Sequence, residues 1–345
     1  MRLTGANRSE DSRLAVITIN SSDAGPKALA STRAAVVRSF RRGDRAFRLV
    51  TFTAALSVLI ILCGVMLSLL FGAWPALRTF GFGFFIHATW NPVKDVFGAL
   101  AAIYGTLVTS VLAMLLAVPV SFGIAVFLTE LCPWWLRRPI GIAVELLAGI
   151  PSIIYGIWGL FVFLPFVQSY IQPFLINLFA PVPVLNVLFA GPPYGIGTFS
   201  AAFILAIMVV PFITAVTRDV FETVPAVLKE AAYGIGATRL EVVRRVVVPY
   251  TRTGLVGGVM LGLGRALGET MAVTFVIGNA HAISSSLLAP GTTISAVIAN
   301  EFNEATDPMY ISSLIALGLI LFFITFVVLA ISRLLLMRIE KAEAK

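Results

Sequence analysis

Residues 253–278 read TGLVGGVMLGLGRALGETMAVTFVIG, an apolar stretch interrupted by two charges, Arg265 and Glu269. It exceeds the roughly 20 helical residues that cross about 30 Å of hydrocarbon, so it reads as a membrane span. A charge at the bilayer centre costs about 2.5–3.5 kcal/mol on insertion scales, which makes each such residue a functional candidate. On one continuous helix turning 100° per residue, Arg265 and Glu269 share the face of Gly254, Gly258 and Gly262, opposite Met260, Leu263, Leu267 and Met271. Small residues let membrane helices approach closely. The expectation is a fifth span that turns both charges into protein and away from lipid.

Five further apolar runs lie near residues 50–72, 101–128, 140–166, 198–217 and 309–332. Across 345 residues, 59% are apolar and 12% charged, against roughly 45–50% and 25% in soluble domains. The expected fold class is all-α: a polytopic membrane protein with six transmembrane helices. Of the 25 Lys and Arg, ten fall in residues 1–49, two in 131–139, six in 218–252 and four after residue 332. Only Arg78 and Lys94 lie in the alternate loops, so the positive-inside rule places both termini in the cytoplasm. Topology thereby accounts for the net charge of +8 with no nucleic-acid partner.

The expected organisation is a basic, disordered cytoplasmic tail at 1–49, a six-span domain at 50–335 and a cytoplasmic C-terminal tail at 336–345. The first apolar run starts too late and is too long for a signal peptide. Cys63 and Cys132 suggest neither a disulfide nor chemistry. Pro119, Pro151 and Pro211 interrupt apolar helices, which membranes tolerate where neighbours re-satisfy the freed carbonyls.

The inside segment at 219–250 contains ETVPAVLKEAAYGIGATRLEVVRRVVVPY. It punctuates itself as two short helices. Pro225 suits a first helical position, Gly234 and Gly236 suit a stop, and Thr238 with Glu241 matches a capping box. Such a hairpin, with Ala231 and Ala232 on its surface, would present a shallow knob to another protein; an amphipathic loop resting on headgroups is the plainer alternative.

The stretch from Glu230 to Pro249 resembles the EAA loop of ABC-transporter permeases, with Glu230-Ala231-Ala232, Gly236 and Pro249 at matching distances; Val246 and Val248 stand where that pattern prefers Ile and Leu. ELLAGIPSIIYGIWGLFVF at 145–163 and GLGRALGETMAV at 262–273 resemble the phosphate-uptake branch of that family. The resemblance spans about residues 50–335 and implies the type I importer permease fold. It makes Glu230, Ala231, Ala232 and Gly236 the residues that couple to an ATPase subunit. It also implies a second permease, distinct or a copy of this chain, two ATPase subunits and an external phosphate-binding protein as partners, with no cofactor.

For Arg265 and Glu269 two readings stand. As a staple, they neutralise each other one turn apart. As a path site, Arg265 offers phosphate oxygens a planar fork of donors while Glu269 weakens its grip enough for passage. Glu145, about six residues into the expected third span, is a third path candidate, or a snorkelling end residue. No GxxxxGK[ST] loop occurs, so the chain is expected to be no ATPase and to draw its energy from a partner. An ion-coupled secondary anion transporter, with Glu269 or Glu145 relaying protons, is the rival; no HExxH motif or other catalytic set supports a hydrolase, and no metal site is expected.

Overall fold

The computed structural model describes the backbone of residues 26–343 and, of the side chains, those of 44 and 46–338. Among the described residues six helices are long and apolar enough to cross a membrane: Ala46–Phe80, Leu100–Leu131, Ser152–Phe179, Thr198–Glu222, Arg239–Leu267 and Pro308–Arg338. Among the described residues no strand forms; two of them, Asn91 and Val96, make an isolated antiparallel bridge. The chain divides into two compact units, 1–67 and 68–345. In the first, the backbone is helical from Pro26 onward and its apolar side chains from Phe47 to Leu67 are largely exposed. Helix thus begins inside the segment read as a tail, whose residues 1–25 lie outside those described. At the other end the last helix runs through the expected tail to Glu343.

Within the second unit the fourth span is central, with 61% of its most apolar window buried against 22–33% for the second, third, fifth and sixth. It packs on a small-residue face of the second span that includes Ala113 and Ala117, and on Val273, Val276 and Ile277 after the fifth. A separate cluster joins Ala73 and Ala76 of the first span to Leu314 and Leu317 of the sixth, where the Ser312 hydroxyl donates to the Gly72 carbonyl at 2.8 Å.

Two expected spans end elsewhere. The run at 140–166 divides at Gly149-Ile150-Pro151 into a helix at Trp134–Ala148 and a third span that starts at Ser152. Proline disfavours helix in the residue before it, and here Gly149 closes the first helix just ahead of Ile150 while Pro151 caps the next. Pro119 and Pro211, by contrast, stay inside continuous helices. The run at 253–278 stops at Leu267 and resumes as Met271–Ile277.

Candidate functional site: a surface hairpin and a broken fifth span

The hairpin forms as its residues dictate. A helix at Ala226–Gly234 follows Pro225, which serves as its cap residue and not as its first helical position. Gly236 adopts φ +89°, a left-handed conformation that costs a residue with a Cβ roughly 1–2 kcal/mol. Thr238 then caps the next helix: its backbone N–H donates to Glu241 Oε2 at 2.9 Å, and the Glu241 N–H donates to Thr238 Oγ1 at 3.4 Å. From Arg239 the chain passes through one wide π-helical turn, Val243–Val247, into the Val248–Leu267 helix. The second arm of the hairpin is therefore the start of the fifth span.

Glu230, Ala231 and Gly236 are exposed, and Ile235 at the tip is 89% exposed. Ala232 points inward instead, onto a small core of Ala125, Phe221, Val224, Val242 and Val247. Between the arms lies a hollow of about 320 Å³ lined by Ala232, Ile235, Gly236, Ala237, Glu241 and Val246, among others. An ion pair that no local pattern announces, Lys229 Nζ to Glu130 Oε1 at 2.5 Å, ties the first arm to the end of the second span.

The glycine stripe behaves as expected: a Cβ on Gly258 would lie 2.9 Å from Val216, and one on Gly262 2.7 Å from Ile213, both on the fourth span. The charges on that stripe part company. Arg265 sits in the last turn, exposed, with its guanidinium carbon 5.7 Å from the centroid of the Phe212 ring, within cation–π range. Glu269 lies in the break, half-buried, and its Oε1 accepts from the Ala272 N–H at 3.3 Å, capping the Met271–Ile277 helix. Among the described residues no ion pair joins the two, so the one-helix geometry expected for them does not form.

Glu269 also lines a cavity of about 10 Å³ with Thr106, Thr109, Ser110, Thr293 and Ser295, a volume of about one water molecule. The Thr109 and Ser295 hydroxyls there are buried without a hydrogen-bond partner. Non-helical backbone at membrane depth is tolerated where it lines such protein-enclosed polar space.

Glu145 stands in the Trp134–Ala148 helix, ahead of the third span and not within it. Its Oε1 accepts from Arg218 Nη2 at 2.7 Å, and Arg218 also reaches Asp219 at 2.8 Å. The stretches 145–163 and 262–273 meet in space: a Cβ on Gly156 would lie 3.1 Å from both Ala272 Cα and the Met271 carbonyl.

At the other end of the spans Glu301 gathers three elements. It accepts from Trp90 Nε1 and the Tyr310 hydroxyl, each at 2.7 Å, and bonds His281 Nε2 at 2.8 Å, with the His281 ring stacked on Trp90. Burial alone would raise the Glu301 carboxyl, but the hydrogen bonds from His281, Tyr310 and Trp90 favour its charged form and hold it below the usual carboxylate range.

A helical fold with six candidate membrane spans and a capped hairpin continuous with one of them defines a class. The chain belongs to the family of binding-protein-dependent transport system inner membrane components, whose description matches residues 117–341. Membership makes it a multi-pass inner-membrane permease subunit of an ABC transporter and not an enzyme, in a system whose ATPase and binding protein are separate partners. Within that family it is 66% identical to the phosphate transport system permease protein PstC of Mesorhizobium japonicum, over 91% of this chain and 96% of that protein. It is 61% identical to PstC of Pasteurella multocida over 87% and 93%, and 38% identical to a probable PstC of Methanocaldococcus jannaschii over 82% and 90%. Among solved structures, an inward-facing MetNI methionine ABC transporter chain matches with TM-score 0.52 at 16% identity, covering 73% of this chain and 99% of that one. That likeness speaks to the fold alone.

Proposed function

We propose that this chain is the PstC-type permease of an ATP-driven phosphate importer. It forms half of the translocation path, beside a PstA-like permease, over two PstB-like ATPase subunits, and receives phosphate from a PstS-like binding protein. The 66% identity to a PstC over nearly the full length of both chains carries the substrate assignment. Both termini and the 219–250 segment face the cytoplasm, a placement supported by the distribution of Lys and Arg.

Glu230, Ala231 and Gly236 dock against the ATPase, with Ala232 holding the hairpin in shape from behind. Motion applied at Gly236 has a direct route to the path. At 1.5 Å per residue, the helical run from Arg239 to Arg265 carries it about 40 Å. Arg265, exposed at the end of that run, offers its donor fork to phosphate oxygens. Glu269 fixes the break beside it and moderates the local positive charge, and Glu145, held by Arg218, lines the inner mouth. The test is labelled-phosphate uptake by cells whose own importer is deleted. Uptake that depends on ATP hydrolysis and survives collapse of the proton gradient supports this reading; the reverse pattern supports an ion-coupled transporter.

A further inference from the structure

A hairpin that docks an ATPase can pull on more than the fifth span. The Ala226–Gly234 helix has two faces. Glu230 and Ala231 point outward, whereas Lys229 and Ala232, three apart and so on one face, turn toward the end of the second span. Ala232 packs near Ala125 and Val126, and Lys229 reaches Glu130 at 2.5 Å. The Glu130 side chain is 7% exposed and that of Lys229 19%. A carboxylate so enclosed needs its partner, because an unpaired buried charge is costly, and the contact therefore resists being pulled apart. Glu130 sits in a π-helical turn, Phe127–Leu131, that ends the second span before Cys132 and Pro133. A π-turn in the fifth span, Val243–Val247, stands opposite the same small core. Such single wide turns are places where a helix changes pitch, and they recur at functional sites.

We propose that Lys229 and Glu130 are positioning residues for transport: their ion pair clamps the coupling hairpin to the second span, so that nucleotide-driven motion moves the second and fifth spans together. This rests on the hairpin being the ATPase docking element. Without the clamp the hairpin still docks, but its motion reaches the fifth span alone and is partly lost as bending at Val243–Val247.

The experiment uses the complete transporter in proteoliposomes, with ATP hydrolysis and phosphate uptake measured on the same preparation. Lys229→Met keeps the apolar stem and Glu130→Gln keeps the shape; each removes the pair. Both should retain the ATPase subunits and hydrolyse ATP while phosphate moved per ATP falls roughly 3- to 30-fold, the range expected when a coupling contact is lost. Lys229→Arg should keep the wild-type ratio, and the exchange Lys229→Glu with Glu130→Lys should recover most of it. A wild-type ratio in both single variants overturns the clamp. Loss of the ATPase subunits from either one also overturns it, since the pair would then serve assembly. Gly236→Asp, run alongside, separates the two ideas: if it keeps the ATPase bound and uptake normal, the docking reading has failed whatever the clamp variants do.

Discussion

Arg265 and Glu269 stand in separate environments, so exchanging them changes two surroundings at once. Had they formed a staple, exchanging them would preserve an ion pair on one face. With Arg265 over Phe212 and Glu269 capping Met271–Ile277, exchange removes a donor from one environment and an acceptor from another. We expect Arg265→Gln and the double exchange both to abolish labelled-phosphate uptake at near-normal yield of complex; an exchanged variant that transports normally would mean that neither residue acts on the anion. Glu301 gives a prediction with a sign. Its folded pKa lies below the unfolded value, so its contribution to stability is complete above the ordinary carboxylate value of about 4.3 and is lost as pH falls through the lower folded value. Glu301→Gln should lower the melting point of the purified complex at pH 7, by the equivalent of about 1–3 kcal/mol for a weakened charged hydrogen bond. The gap to wild type should narrow as pH drops below about 4. A gap constant down to the most acid sample would mean that charge is not what Glu301 supplies.

At the scale of elements, the hairpin was readable because its signals are local: a proline, two glycines and a capping box within a few residues. The break in the fifth span was not. Helical periodicity assumes one continuous helix, and Gly268 followed by an acid that caps the next helix leaves no mark on the apolar pattern. Glu145 was misplaced for the same reason, since the run at 140–166 reads as one helix until Pro151 is weighed against its neighbours. The Lys229–Glu130 pair, 99 residues apart, and the Trp90–Glu301 bond, 211 apart, lie beyond any local pattern. Two substitutions test element geometry. At Gly236, Asn tolerates the left-handed conformation and Val does not, so Gly236→Val should release more ATPase subunit on purification than Gly236→Asn; equal retention would mean the turn is not needed. Gly258→Leu should drive the fourth and fifth spans apart at Val216 and cut the yield of complex, whereas Gly257→Leu, with nothing within 4 Å of its Cβ position, should be tolerated.

For the whole molecule, orientation is the first quantity to measure. In a background lacking Cys63 and Cys132, Ile235→Cys at the hairpin tip should resist an impermeant thiol reagent in intact cells, while Ser285→Cys in an exposed loop on the opposite side should react. Labelling of position 235 from outside would reverse the topology. The uninterrupted course from Arg239 to Leu267 has a thermodynamic corollary. If the ATPase bears on one end of that helix and phosphate on the other, each site alters the affinity of the other by the same factor, because binding linkage is reciprocal. In such an importer, phosphate bound at Arg265 would change how tightly the ATPase docked at the far end of this helix, about 40 Å long, holds its nucleotide, so that the transporter would read the supply of its cargo as well as drive it.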